Sequence, residues 1–177
     1  DAETASQEAD ECIYILRKYH CRLDYPVAYD IEKNGSYDPT QFSSQTIGDI
    51  VDTFCSKIQK AGYKAAVYAS KSFLEDKFTD PRVSRYDTWV AQYNGRSSTS
   101  YSRNYTMWRY SSTGKVSGIS GDCDLDYSYL DYSWMTPQTF ECDTSSYSFG
   151  PYRTYTYEIM TMDANTPIVK SSNTNAV

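Results

Sequence analysis

Along the first part of the chain, apolar positions return every three or four residues. Ala5, Ala9, Cys12, Leu16 and Tyr19 fall on one side of a helix expected over 2–20. Glu3, Glu8, Asp10 and Glu11 crowd its start, and Arg17 and Lys18 its end, the order that suits the helix dipole. Then the period changes. "YPVAYDI", from Tyr25, is apolar on both faces and reads as a buried strand. The helical period returns from Ser43 to Ala61, with Ile47, Ile50, Val51, Phe54 and Ile58 as its stripe and Gly62 as its stop. "YKAAVYAS" is the next strand and "SKSFLEDKF" a short helix; "YDTWVAQYN" and "NYTMWRYSS" are two further strands. A glycine-punctuated loop within "GKVSGISGDCDLDYSYL" leads to a last short strand at Cys123–Leu125.

Near-continuous apolar strands alternating with helices or long crossovers belong to parallel sheets covered by helices. No two of these strands are joined by a two-residue Asn-Gly or Asp-Gly turn, which weighs against an antiparallel sandwich. A doubly wound open sheet and a section of a (β/α)8 barrel both fit the pattern. Neither a GxGxxG nor a GxxxxGK[ST] loop follows any strand, so nothing marks a nucleotide site. After Trp134 the texture turns to Ser, Thr, Tyr and Pro, with "TYTYEIMT" alternating like an exposed strand. Residues 135–177 are therefore expected to be a linker and the truncated start of a β-rich module.

A net charge of -6 argues against a nucleic-acid backbone or an anionic membrane as partner. No apolar run is long enough to span a bilayer. The cysteines Cys12, Cys21, Cys55, Cys123 and Cys142 form no CxxC pair, and His20 is the only histidine, so no zinc site or other metal cofactor is expected. His20 abuts Cys21, and neighbours in sequence rarely face each other, which speaks against a Cys-His nucleophile. The abundance of tyrosine, 19 residues, suits either half-buried strand positions or ring faces that stack on sugars.

The candidate chemistry lies in "YPVAYDIEKNG". Asp30 and Glu32 are two apart, so on a strand they project to the same face, with Cα atoms roughly 6–7 Å apart. They sit at the carboxyl end of the strand, where a barrel collects its reactive groups. Close carboxylates separate their pKa values: the charge of one favours a proton on the other, as general-acid cleavage of a glycosidic bond requires. Asp122, Asp124 and Asp126 in "GDCDLDY" add acids near another strand; Asp122 and Asp126 also read as ordinary solvated turn residues.

The segments "YPVAYDIEKNG", "AGYKAAVYAS", "DTWVAQYN" and "YTMWRYSSTGKVSGISGDCDLDY" occur in the order found in family 25 glycoside hydrolases, the Chalaropsis-type lysozymes, and residues 1–134 resemble that family. The resemblance implies an α/β fold: about the last five strands of a (β/α)8-type (TIM-like) barrel. It implies a secreted or cell-wall-associated N-acetylmuramidase that acts on bacterial peptidoglycan without a cofactor and is monomeric at full length. By position, Glu32 resembles the general acid, Asp30 its companion carboxylate, and Asp124 the aspartate of a closing DxN motif in which Asp126 stands for Asn. Tyr68, Trp89, Gln92, Tyr93, Trp108 and Tyr110 match aromatic and polar positions around the sugar groove, and Arg109 stands where the family usually has Gln. The family's first strand, with its own aspartate in a segment like G-x-D-x-S-x-x-Q-G, has no counterpart. The expectation is thus a window lacking the N-terminal barrel strands, and a 1–177 polypeptide that is inactive alone. A non-catalytic cell-wall glycan-binding barrel is the alternative, though a pure binder needs no paired acids. A chitinase-type barrel would carry a D-x-x-D-x-D-x-E ladder; here Ala28 and Pro26 stand where its earlier acids would be.

Overall fold

The computed structural model describes residues 1–132 in full and, beyond them, the backbone of Phe140–Cys142 and Ile159–Thr161. Helix α1 (Ala2–Lys18) starts on Asp1, whose carboxylate accepts from Thr4 N at 2.9 Å. Its buried face is only Ala5 and Ala9, small enough to let it lie close on α2 (Ser44–Lys60). Lys57 of α2 fastens the pair by donating to Ser6 O at 3.1 Å and to Asp10 Oδ2 at 2.5 Å. Cys12 and Leu16 pack at the margin, but Tyr19 is 64% exposed and not part of the buried stripe. The helix has already ended there: His20 turns into the left-handed region at φ 49°, and Cys21 N closes back on Leu16 O at 2.9 Å. In α2 all five expected positions, Ile47, Ile50, Val51, Phe54 and Ile58, are buried, joined by Gly48 and Cys55.

Five strands form one sheet in chain order: β1 (Val27–Asp30), β2 (Ala65–Ser70), β3 (Asp87–Ala91), β4 (Met107–Gly114) and β5 (Cys123–Ser128). The sheet curls as part of a barrel does. Helix α3 (Lys71–Lys77) and a 3₁₀ turn, Pro81–Arg85, connect β2 to β3. β1 to β4 run parallel. β5 returns antiparallel on β4, against the wholly parallel sheet expected, because the 115–122 loop is too short for a helical crossover. It is also longer than the expected Cys123–Leu125. The expected boundary at 134 and the β-rich module lie outside the described residues, apart from the antiparallel backbone pair β6 (Phe140–Cys142) and β7 (Ile159–Thr161).

The sheet has two unlike faces. Ala65, Val67, Ala69, Val90 and Trp108 join the helices in one buried core. Ala66 and Met107, with Ala28 and Trp89 beside them, line the other face under Tyr132. Tyr132 is 3% exposed and donates to Asp87 Oδ2 at 3.0 Å.

Outside the sheet, α2 is tied to the 3₁₀ turn by charge. Arg82 bridges Asp80 and Asp49, each at 2.6 Å, and its hydrogen bonds to Asp80 hold that carboxyl down to about 2. Gly48 lies under this network. A Cβ there would stand 2.6 Å from Asp80 Cβ, an atom fixed close to the backbone. Gly48→Ala would gain about 1 kcal/mol of helix propensity but meet an overpacking cost of about 1–3 kcal/mol. Because Arg82 prevents Asp80 from moving aside, we expect a net loss of stability in urea unfolding. A Gly48→Ala protein more stable than the parent would show the 78–82 segment to be loosely held.

Candidate active site

β1 ends on Asp30, paired in register with Tyr68 of β2, which is in turn paired with Trp89 of β3. Ile31 follows, 2% exposed in the helix-side core, its N–H donating to Tyr68 O at 3.2 Å. Asp30 and Glu32 flank it and are both exposed; strand alternation turns them to the opposite face, towards Tyr68 and Trp89. The neighbouring cation is engaged elsewhere: Lys33 pairs with Asp38 at 3.0 Å across the turn closed by Asn34 and Tyr37.

The rest of the inner face centres on Arg109 of β4. Its Nη1 donates to Tyr68 Oη at 2.9 Å and lies 3.3 Å from Asp124 Oδ2, while Nε reaches Asp126 Oδ1 at 3.3 Å. The guanidinium lies over both Tyr68 and Trp89, 4.8 and 4.6 Å from their ring centroids. Those rings meet edge to face at 4.9 Å, and Trp89 Nε1 donates to Asp126 Oδ1 at 2.8 Å. Burial pushes the Tyr68 hydroxyl up to about 12, so it stays protonated. Tyr93, 56% exposed, stands next to Tyr68. Below Trp89 a cavity of about 250 Å³ opens between Tyr25, Pro26, Met107, Asp126 and Tyr127. Among the described residues no three His, Cys, Asp or Glu side chains converge as metal ligands, and no helix is long and apolar enough to cross a membrane.

The fold thus brings Asp30, Glu32, Tyr68, Trp89, Tyr93, Asp124 and Asp126 to one region. Of the residues expected around the groove, two face the helices and a third is taken up by its own loop. Trp108 is fully buried on the helix side and donates to Gln92 O at 3.0 Å, so it has no face to offer a sugar. Tyr110 lies on that same side and stacks on Tyr127 at 4.6 Å. Gln92 folds its own loop: its Oε1 accepts from Thr99 Oγ1 at 2.7 Å and from Ser100 N at 2.8 Å. Arg109, noted in the sequence only as a departure from the family's Gln, stands at the centre of this face; a charge between two aromatic residues on a strand already implied that it faces the other way from them.

The surroundings of Asp30 act on its charge. Its carboxyl is raised above its ordinary 3.8, first by the partial loss of water around it and then by the charge of Glu32, with Arg109 opposing. A carboxylate raised on folding is easier to protonate in the native state. Its cost is therefore absent below about pH 3.8, grows as pH rises through the interval to the native value, and persists above it. Asp30→Asn is expected to raise the melting temperature near neutrality and to lose that gain towards pH 3. An equal gain at both pH values would remove the ionisation of Asp30 as its cause.

The family model for glycosyl hydrolases family 25 matches residues 1–119. A curated relative, the autolytic lysozyme of Clostridium acetobutylicum, is 32% identical over 104 residues, which are 59% of this chain and 30% of that protein. The structure of the modular autolysin LytC from Streptococcus pneumoniae superposes with a TM-score of 0.59 at 26% identity, covering 71% of this chain and 31% of that one. The bacterial lysozyme from Streptomyces coelicolor, at 22% identity, shares the fold with a TM-score of 0.58 over 74% of this chain and 64% of its own. The chain spans about a third of the length of the first two relatives. With the family model covering most of the described residues, the chain belongs to glycosyl hydrolases family 25.

Proposed function

We propose that this chain is part of a peptidoglycan muramidase that hydrolyses the β-1,4 bond between N-acetylmuramic acid and N-acetylglucosamine. The observation that carries the proposal is the pair Asp30 and Glu32, turned away from the buried Ile31 at the exit of β1 and facing an aromatic wall. The names of the autolytic lysozyme and of the autolysin support the same reading. Glu32 protonates the oxygen of the departing sugar. Asp30 is the companion carboxylate: it steadies the positive charge that develops on the ring or orients the substrate's own N-acetyl group. Asp124 acts from β5, and Asp126 holds Trp89, whose ring, with Tyr68 and Tyr93, forms the wall against which a sugar lies. The five strands would form the later part of a (β/α)8-type barrel whose final strand is reversed. The enzyme would work outside the cell or on the wall, as a monomer.

The test is clearance of Gram-positive cell walls by the full-length protein, set beside release from soluble chitin oligomers. Loss of wall turbidity with little cutting of chitin is expected. Wall binding without clearance would favour a glycan-binding barrel, and faster cutting of chitin would overturn the muramidase reading.

A further inference from the structure

We propose that Arg109 is a positioning residue of this site: held flat on Tyr68 and Trp89 by Asp124 and Asp126, it lends a fixed positive charge to Asp30. The role matters to catalysis only if the muramidase reading holds; the geometry does not depend on it. The Arg109 side chain is 18% exposed, and every restraint on it comes from another strand: Tyr68 on β2, Trp89 on β3, and Asp124 and Asp126 on β5. A guanidinium fixed on four sides cannot swing out to meet solvent anions, so its charge stays where the sheet places it.

The groups facing Asp30 make that charge consequential. Glu32 follows on its own segment, and Tyr68 is its register partner on β2; the Arg109 guanidinium, bonded to that tyrosine's hydroxyl, is the positive charge that acts on Asp30. A cavity of about 300 Å³ on the helix side is lined by Asp30, by the capping residue Asp1 and Glu8 of α1, and by Tyr29 and Tyr37. Glu8 there accepts from Tyr29 Oη at 2.7 Å. Asp124 and Asp126 stand behind Arg109 and draw on the same cation. Lys33, the nearest basic residue in sequence, is bonded to Asp38. Partial desolvation and Glu32 both favour a proton on Asp30, and Arg109 is the group that opposes them. Without it, Asp30, Glu32, Asp124 and Asp126 would crowd one face uncompensated, and Asp30 would hold its proton to higher pH.

The experiment follows the Asp30 carboxyl carbon by NMR through a pH titration of the full-length protein, in the parent and in Arg109→Gln, Arg109→Lys and Asp124→Asn. Arg109→Gln is expected to shift the Asp30 midpoint upward, and Arg109→Lys to bring it back towards the parent. Asp124→Asn should shift it downward, since Arg109 is then shared with one carboxylate fewer. The acid limb of kcat/KM should move in the same direction as the midpoint in each variant. A midpoint unmoved in Arg109→Gln, or raised in Asp124→Asn, overturns the proposal. A merely structural Arg109 would lower the melting temperature and leave the midpoint in place. Should Arg109→Gln fail to fold, Asp124→Asn decides alone: a downward shift supports the role and an unmoved midpoint refutes it. The midpoint is read without any lytic assay. Shifts as expected in a protein that never clears cell walls would therefore leave Arg109 its role and withdraw the muramidase reading instead.

Discussion

Glu32→Gln is expected to lower cell-wall clearance by the full-length protein at least about 10²-fold, the lower end of what a general acid contributes. The substitution keeps the size of the side chain and removes only its proton. Glu32 is exposed just past the end of β1 and makes no hydrogen bond to the described residues, so the fold does not lean on it. Thermal unfolding should match the parent, and binding to insoluble wall material should persist. These controls separate lost chemistry from lost structure. Clearance above about a hundredth of the parent rate would take the acid role away from Glu32.

The second large effect is one of stability. Trp108→Ala should cost about 3–5 kcal/mol in denaturant unfolding, the range for removing a fully buried aromatic side chain. Trp108 is among the largest fully buried side chains and sits where β4 meets the helix-side core beside Val90. Its loss empties that position and leaves Gln92 O without its indole donor. Had Trp108 lined the groove, the same change would have weakened substrate binding and spared stability. A loss below about 1 kcal/mol together with a raised KM would return Trp108 to the sugar-binding surface.

These two residues also mark where sequence was enough and where it was not. The α2 stripe was legible because burial there follows the helical period without exception. Tyr19 was misplaced because the period runs on in the letters to the C-cap, past the helix's last residue, Lys18. The shared face of Asp30 and Glu32 was legible because a buried Ile31 between two acids can be accommodated in only one way. For β4 the alternation was equally available, yet it leaves open which of the two faces meets the helices. Aromatic residues suit a helix-covered face as well as a sugar groove. Met107 and Arg109 share one side and Trp108 and Tyr110 the other, and only the packing of Val90 and Val67 with the helices fixes which is which. The reversal of β5 was hidden for a related reason. The 115–122 loop turns through Gly118 and Gly121, both at positive φ, in place of a two-residue hairpin turn that would have announced it.

Asp30, Tyr68 and Trp89 occupy directly opposed positions on three adjacent strands. A slip of β2 by one residue would present Val67 or Ala69 where Tyr68 belongs and send the tyrosine among the helices. Such a product could retain helices and a hydrophobic interior and still pass as folded by circular dichroism. It would have no continuous wall beside its acids. For a chain whose apolar strands offer several near-equivalent alignments, activity is thus a stricter witness of correct folding than compactness. Preparations of equal helicity and unequal specific activity should be examined first for strand register.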